Sequence, residues 1–231
     1  MSRPKPVIAI DGPAGAGKST VARNLAKALG FLLVDTGAIY RAVALAATRR
    51  GIDRKDGAAV AQLASDLLGR EALVFRRDAE LGMRVVLEGD DVSDEIRTPE
   101  MGIGASEVSV HPKVREALLG IQRQAGAEGG VVLEGRDIGT VVFPDAELKF
   151  FLTASPEVRA QRRHAELVQK GNAPTYEETL EAVRARDHQD ESRAVAPLRR
   201  AADAVLVDSS ALDFDGVVAE MLTTVRAKLE G

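Results

Sequence analysis

Apolar positions along the chain alternate between short unbroken runs and longer amphipathic stretches, and this alternation predicts the elements. Val7-Ile8-Ala9-Ile10 reads as a short buried strand, followed by a glycine-rich turn and a helix opening at Lys18. In that helix Val21, Leu25 and Leu29 fall at i, i+4 and i+8, and Gly30 is placed to end it. Phe31–Val34 is a second apolar run, and a helix from Ala38 to about Arg50 follows, stopped by Gly51. Strand, helix, strand, helix is the rhythm of a parallel sheet with crossover helices. It breaks after a helix over 58–68. Ala72–Arg76 and Met83–Leu87 read as short strands joined by the polar turn 77–80, a hairpin signal, and a helix over 98–110 carries Pro99 in its first turn.

The alternation resumes with a helix over 112–125 and apolar strands at 131–133, 148–152 and 204–207. Helices over 156–170 and 175–194, separated by the break Gly171-Asn172-Ala173-Pro174, lie between the last two strands. A helix over 214–229 closes the pattern. The prediction is an α/β protein: a five-stranded parallel sheet flanked by helices over 1–64 and 111–231, with an α+β lobe inserted at 65–110. Ligands of such sheets sit beyond the carboxyl ends of the strands. Those ends carry Asp11-Gly12, Asp35-Thr36, Glu134-Gly135-Arg136-Asp137, Thr153 and Asp208.

Composition narrows the field. With 231 residues, 45% of them hydrophobic, the chain can bury one good core and a small lobe. A net charge of −4 with interspersed signs argues against general affinity for nucleic acid. The absence of cysteine removes disulfides, thiolate zinc sites and cysteine nucleophiles together. His111, His164 and His188 have no ligand spacing. The polar start and the lack of any long apolar run lead to the expectation of a soluble cytoplasmic protein without a membrane partner.

The chemistry enters at the first turn. Gly12, Gly17, Lys18 and Ser19 fit G-x-x-x-x-G-K-[ST], the phosphate-binding loop. Backbone N–H groups of Gly12, Pro13, Ala14, Gly15, Ala16, Gly17, Lys18, Ser19 and Thr20 (Pro13 excepted, which has none) would cradle the phosphates of ATP, aided by the positive end of the helix. Lys18 would reach the terminal phosphates, and Ser19 would ligate Mg²⁺. No N-K-x-D motif is present, which argues against a GTPase, and arginines away from the loop argue for a kinase: Arg41, Arg136, Arg162, Arg163, Arg186 and Arg193. Transfer between two nucleotides brings two polyanions into line, and guanidinium groups suit that task. Arg186, Asp190 and Arg193 share one helix face, though a surface ion-pair ladder has the same spacing. Arg159, Arg162 and Arg163 precede the Gly171–Pro174 break, the pattern of a helical lid over about 159–174.

Several long blocks then carry a resemblance: Ile8–Ala22, Asp35–Ala42, Glu134–Asp145, Arg186–Leu198 and Val207–Ser210 are similar, in order, to the bacterial cytidylate kinases. The resemblance implies a P-loop kinase core with a short lid, the 65–110 lobe as the nucleoside-monophosphate-binding part, and transfer of the γ-phosphoryl of ATP to CMP and dCMP; a monomer is expected. It implies that Thr36, Arg41, Arg136 and Arg186 grip the acceptor phosphate, that Asp190 and Arg193 contact the sugar, and that Ser106, Arg115 and Asp137 read the base. Lys18, Arg136, Arg162 and Arg186 would be the catalytic set. Cytosine's exocyclic amine wants a carboxylate acceptor such as Asp137, and its O2 and N3 want a donor such as Arg115. Glu134 stands where the family often has Asp, and Thr36 where Ser also occurs. Two readings stay open beside this one: a P-loop kinase of another small acceptor such as UMP, AMP or a sugar, and a nucleotide-binding regulatory protein without turnover.

Overall fold

The computed structural model describes residues 3–78, 82–169, 171 and 174–230. In chain order the elements are β1 (Val7–Asp11), α1 (Lys18–Leu29), β2 (Leu32–Asp35), α2 (Gly37–Arg49), α3 (Gly57–Gly69), β3 (Leu73–Asp78), β4 (Gly82–Leu87) and β5 (Asp90–Asp91). There follow α4 (Pro99–Ser109), α5 (Pro112–Gly126), β6 (Val131–Gly135), β7 (Leu148–Thr153), α6 (Pro156–Gln169), α7 (Tyr176–Ser192), β8 (Val205–Asp208) and α8 (Phe214–Glu230). A parallel sheet of five strands has the order β2-β6-β1-β7-β8, and β3-β4-β5 form a second sheet. The chain forms two compact units, one of residues 1–5 and 32–129, the other of 6–31 and 130–231.

In the second unit β1 is buried along its whole length, as its unbroken apolar run requires of a strand covered on both faces. It pairs in parallel with β6 and β7, so that Asp11 stands level with Gly135 on one side and Phe151 on the other. β7 in turn pairs with β8, Thr153 opposite Asp208. The register thus brings Asp11, Glu134, Thr153 and Asp208 to one end of the sheet, next to the turn after β1. The apolar side of α1 (Val21, Ala22, Leu25) packs on β6 and α8. Thr175 opens α7 with a capping box: its hydroxyl accepts the Glu178 N–H while Glu178 accepts the Thr175 N–H.

The first unit has its own core, built from Ile39, Val43, Leu63, Leu67, Leu73, Leu87, Val108 and Leu118. Alanines along α2 let α4 approach closely. A Cβ on Gly104 would press against the Ala44 side chain, so small residues on both helices make that contact. The hairpin forms as expected, Leu73 opposite Leu87 and Phe75 opposite Val85. Its strand β3 runs on to Asp78, and the rest of the anticipated 77–80 turn lies outside the described residues.

Three differences from the sequence expectation matter. The two-residue β5 is too short to leave an apolar signal. Ile138–Val142 forms one wide helical turn, closed by the Phe143 N–H on the Ile138 carbonyl (2.7 Å), where no helical period exists to announce it. And α7 ends at Ser192, not Ala194, leaving Arg193 extended at φ −57°, ψ 135°. Of the Gly171–Pro174 break, Gly171 adopts a left-handed turn at φ 75°, and residues 172 and 173 lie outside the described set.

Candidate functional site

The turn between β1 and α1 is fixed by close approach. Gly12 has φ 151°, and a Cβ there would run into the Leu152 carbonyl of β7; Gly17 has φ 89°, and a Cβ there would strike the Phe214 ring. Gly17 precedes α1 with no side chain capping the helix, so the first N–H groups of α1 remain available to an anion. The loop's carbonyls are held by identifiable donors. Lys18 Nζ donates to Gly12 O and Pro13 O, both at 2.7 Å, and Arg159 Nη1 donates to Ala14 O at 3.1 Å. The buried Ser209 hydroxyl lies 3.1 Å from Ala16 O. Carbonyls engaged in this way leave the N–H side of the loop as the part suited to an anion.

Around Lys18 the charges converge. Burial and the neighbouring Arg136 push the Lys18 ammonium pKa down, against Glu134 and Asp190, which favour the charged form; Arg186 adds to the lowering. Arg136 Nε donates to Asp190 Oδ2 at 2.9 Å, and Arg193 Nη1 lies 3.6 Å from Asp190 Oδ1. Burial alone would raise the Asp190 pKa, but Arg136, Arg193 and Arg186 outweigh it and hold the carboxyl below its usual range. The second unit therefore brings Lys18, Arg136, Arg186, Asp190 and Arg193 together, with Asp190 binding two guanidinium groups. This is more than a surface ladder, because Asp190 is buried. Asp137 is also buried and adjoins this cluster through the chain.

Ser19 Oγ donates to Glu134 Oε2 at 2.9 Å. A hydroxyl and a carboxylate side by side are the hard oxygen donors that Mg²⁺ accepts alongside substrate phosphates. No group of three or more His, Asp or Glu able to hold a metal occurs among the described residues. The donor set fits an ion shared with a nucleotide rather than one caged by protein.

The three arginines of α6 have three settings. Arg159 is buried, paired with Asp187 through both terminal nitrogens (2.8 and 2.6 Å), and its Nε donates to Ala154 O at 2.9 Å. Arg162 donates to Ser209 Oγ (3.1 Å) and Ser209 O (2.6 Å) and lies over the Phe214 ring, 5.2 Å from its centroid; burial lowers its pKa. Arg163 makes an exposed contact with Glu166 at 3.3 Å.

The remaining candidates belong to the first unit. Thr36 is buried and precedes α2, and Arg41 on that helix pairs with Asp35. Arg115 on α5 is buried, lies 5.4 Å over the Tyr40 ring and donates to Ser109 O at 3.4 Å. Ser106 sits one turn before Ser109 on α4, its carbonyl accepting the Ser109 hydroxyl at 3.2 Å.

Two residues of this site were not assigned from sequence. Glu134 follows the apolar run Val131–Leu133, and only the pairing of β6 with β1, opposite Ile10, brings it to Ser19. Asp11 accepts the backbone N–H groups of Ile138 (2.8 Å) and Gly139 (2.7 Å). Burial pushes its carboxyl up to about 6, countered by those two bonds and by Lys18 and reinforced by Asp137. An acid whose folded pKa exceeds its unfolded one stabilises the fold fully below the unfolded value, and that contribution is lost as pH rises through the folded value. Relative to Asp11→Asn, the wild type should therefore gain about 1 kcal/mol on acidification from pH 7 to pH 5, with most of the change below pH 6. Urea unfolding of both proteins at the two pH values checks this.

Comparison with known proteins is consistent along the whole length. Residues 8–227 match the family model described as Cytidylate kinase. A protein named cytidylate kinase from Geobacter sp. (strain M21) is 53% identical over 223 residues, 96% of this chain and 94% of that protein. One of the same name from Aeromonas salmonicida (strain A449) is 48% identical over 229 residues, 99% of this chain and 97% of its own. Among solved structures, a shikimate kinase from Acinetobacter baumannii aligns at 16% identity and TM-score 0.49, covering 97% of this chain and 95% of that one.

Proposed function

The chain belongs to the cytidylate kinase family, a phosphotransferase that moves a phosphoryl group from ATP to CMP and dCMP, and on that premise we propose how its residues divide the work. Gly12 to Thr20 hold the ATP phosphates. Lys18, Arg136 and Arg186 neutralise the charge that spreads over the transferring group. The observation that carries this reading is the convergence of Lys18, Arg136, Arg186 and Asp190 at the phosphate loop. Arg162, stacked on Phe214 beside Gly17, is the lid arginine that meets the donor phosphates. Ser19 and Glu134 would hold Mg²⁺, which when bound would draw charge from the donor phosphates.

The acceptor phosphate has a second pKa of about 6 and is its own nucleophile near neutrality, so no general base is required. Thr36, Arg41, Arg136 and Arg186 bind it, Asp190 and Arg193 take the sugar, and Ser106, Arg115 and Asp137 read cytosine. Asp190 also spaces Arg136 from Arg193, which the ion pairs support. Residues 65–110 act as the monophosphate-binding lobe, supported by their separate sheet, and about 159–174 act as the lid. The protein works as a cytoplasmic monomer, without nucleic-acid or membrane partners. The acidic balance supports the lack of a nucleic-acid partner, and among the described residues no helix is long and apolar enough to cross a membrane.

A coupled assay of ATP consumption with Mg²⁺ against CMP, dCMP, UMP, AMP, GMP and dTMP tests the base reading. Turnover should concentrate on CMP and dCMP. Asp137→Asn should narrow the CMP-over-UMP ratio in kcat/KM about tenfold or more, since uracil presents a carbonyl where cytosine has an amine. An unchanged ratio moves base reading to other residues.

A further inference from the structure

Asp11 is buried, and both oxygens of its carboxylate are engaged. It stands at the last position of β1, immediately before Gly12. Its two oxygens each accept one backbone N–H, from Ile138 at 2.8 Å and Gly139 at 2.7 Å. These are the first N–H groups of the wide turn Ile138–Val142, which Asp137 precedes without capping it through its own side chain. A carboxylate from the neighbouring strand thus does the work of a helix cap. A Cβ on Gly139 would sit 3.1 Å from the Lys149 stem, tighter than ordinary packing, and 3.4 Å from Asp11 Oδ2, an ordinary contact.

The chain just before those two N–H groups is Arg136-Asp137. β1 and β6 pair in register, Asp11 beside Gly135, so the strand that enters the phosphate loop and the turn that carries Arg136 and Asp137 leave the sheet side by side. Hydrogen bonds in the sheet fix the strands only as far as Gly135. Beyond it, the bonds to Asp11 tie the turn back to β1.

We propose that Asp11 is a positioning residue for acceptor binding: its carboxylate locks the Arg136-Asp137 turn to the phosphate-loop strand by accepting the Ile138 and Gly139 N–H groups together. The inference rests on the reading of Arg136 and Asp137 as acceptor contacts. An ionised buried carboxylate is an expensive way to hold a loop, and the arrangement demands it because both oxygens must accept. Asparagine offers one acceptor oxygen and turns its amide N–H toward the second donor. The variant removes a buried charge as it loses one bond, so the fold should survive while the turn shifts.

The decisive measurement is steady-state kinetics of Asp11→Asn with CMP and ATP varied in turn. The KM for CMP should rise about tenfold, since small misplacement of a binding group is costly, while the KM for ATP stays within about twofold. Gly139→Ala, whose methyl would press on the Lys149 stem and so displace the turn that carries the same N–H group, should give the same split in milder form and serves if Asp11→Asn fails to fold. A flat CMP KM in a folded variant, or equal rises in both KM values, overturns the inference. Asp137→Asn run in parallel separates the premise: an unchanged CMP-over-UMP ratio there removes Asp137 as the base reader, and the KM split of the Asp11 variant still decides the positioning role.

Discussion

Lys18→Ala is expected to lower kcat by about three orders of magnitude while changing the melting temperature little. One positioned donor at a site of developing charge is worth about 10²–10³ in rate, and Lys18 brings a full charge as well as a donor. Its ammonium is buried, with Nζ 2.7 Å from both Gly12 O and Pro13 O, so without nucleotide it is satisfied by the loop itself. On nucleotide binding it would exchange neutral carbonyls for phosphate oxygens, and the gain would grow as charge moves in the transition state. The KM for ATP should therefore change less than kcat, the signature of an interaction made mainly in the transition state. Lys18→Arg should not rescue, because a planar fork cannot occupy the place of a point charge between two carbonyls. Stability is spared because the variant removes a desolvated cation whose pKa is already depressed by burial and by Arg136. Initial rates with saturating CMP and varied ATP, together with a thermal melt, check both halves. Turnover near the wild-type level would remove Lys18 from the chemistry.

The positions that make this argument possible were unequally visible in the sequence. The loop from Gly12 to Ser19 was legible because its spacing and its flanking strand and helix are local. So were the hairpin β3–β4 and the helices, whose boundaries fall within about two residues of expectation. What depends on strand order was not legible. Glu134 reaches Ser19, and Asp11 reaches Ile138 and Gly139, across 115 to 128 residues of chain, because β6 lies beside β1. Periodicity also gave the arginines of α6 one character, a charged face ahead of a break. Helical spacing alone does not say which of Arg159, Arg162 and Arg163 meets the sheet, and the helix turns Arg159 and Ala160 inward. Conversely, the i, i+4, i+7 spacing of Arg186, Asp190 and Arg193 is readable in the sequence, but α7 ends before Arg193, and what the set does depends on Arg136, which arrives from another element. The proposed lobe at 65–110 is a statement about acceptor binding; the compact unit containing it spans 32–129, because α2 and α5 share its apolar core.

Arg159→Ala is expected to be the most destabilising change among the arginines of α6, by about 3–5 kcal/mol, the range for breaking one side of a buried ion pair. For a domain of this size that corresponds to a fall in melting temperature of about 6–20 °C. The side chain of Arg159 is 4% exposed and that of Asp187 15%. Truncation leaves the Asp187 carboxylate without its bidentate partner and removes donors from Ala154 O and Ala14 O. Gly15 lies against the Arg159 stem, so the same variant opens a gap behind the phosphate loop. Arg159→Lys should recover little, since one ammonium cannot span two carboxylate oxygens and two carbonyls from that position. Arg163→Ala, whose only described ion pair is an exposed one with Glu166, should shift stability by less than about 1 kcal/mol. Ligand dependence separates this role from that of a lid group. If Arg159 mainly holds the loop and α7 in place, the melting temperature falls by a similar amount with and without nucleotide. If it acts as a mobile lid arginine, the free protein is barely affected and the loss appears only with both nucleotides bound. Thermal melts of the two variants in both states decide between them, and a free-protein shift below about 2 °C for Arg159→Ala would sink the structural assignment.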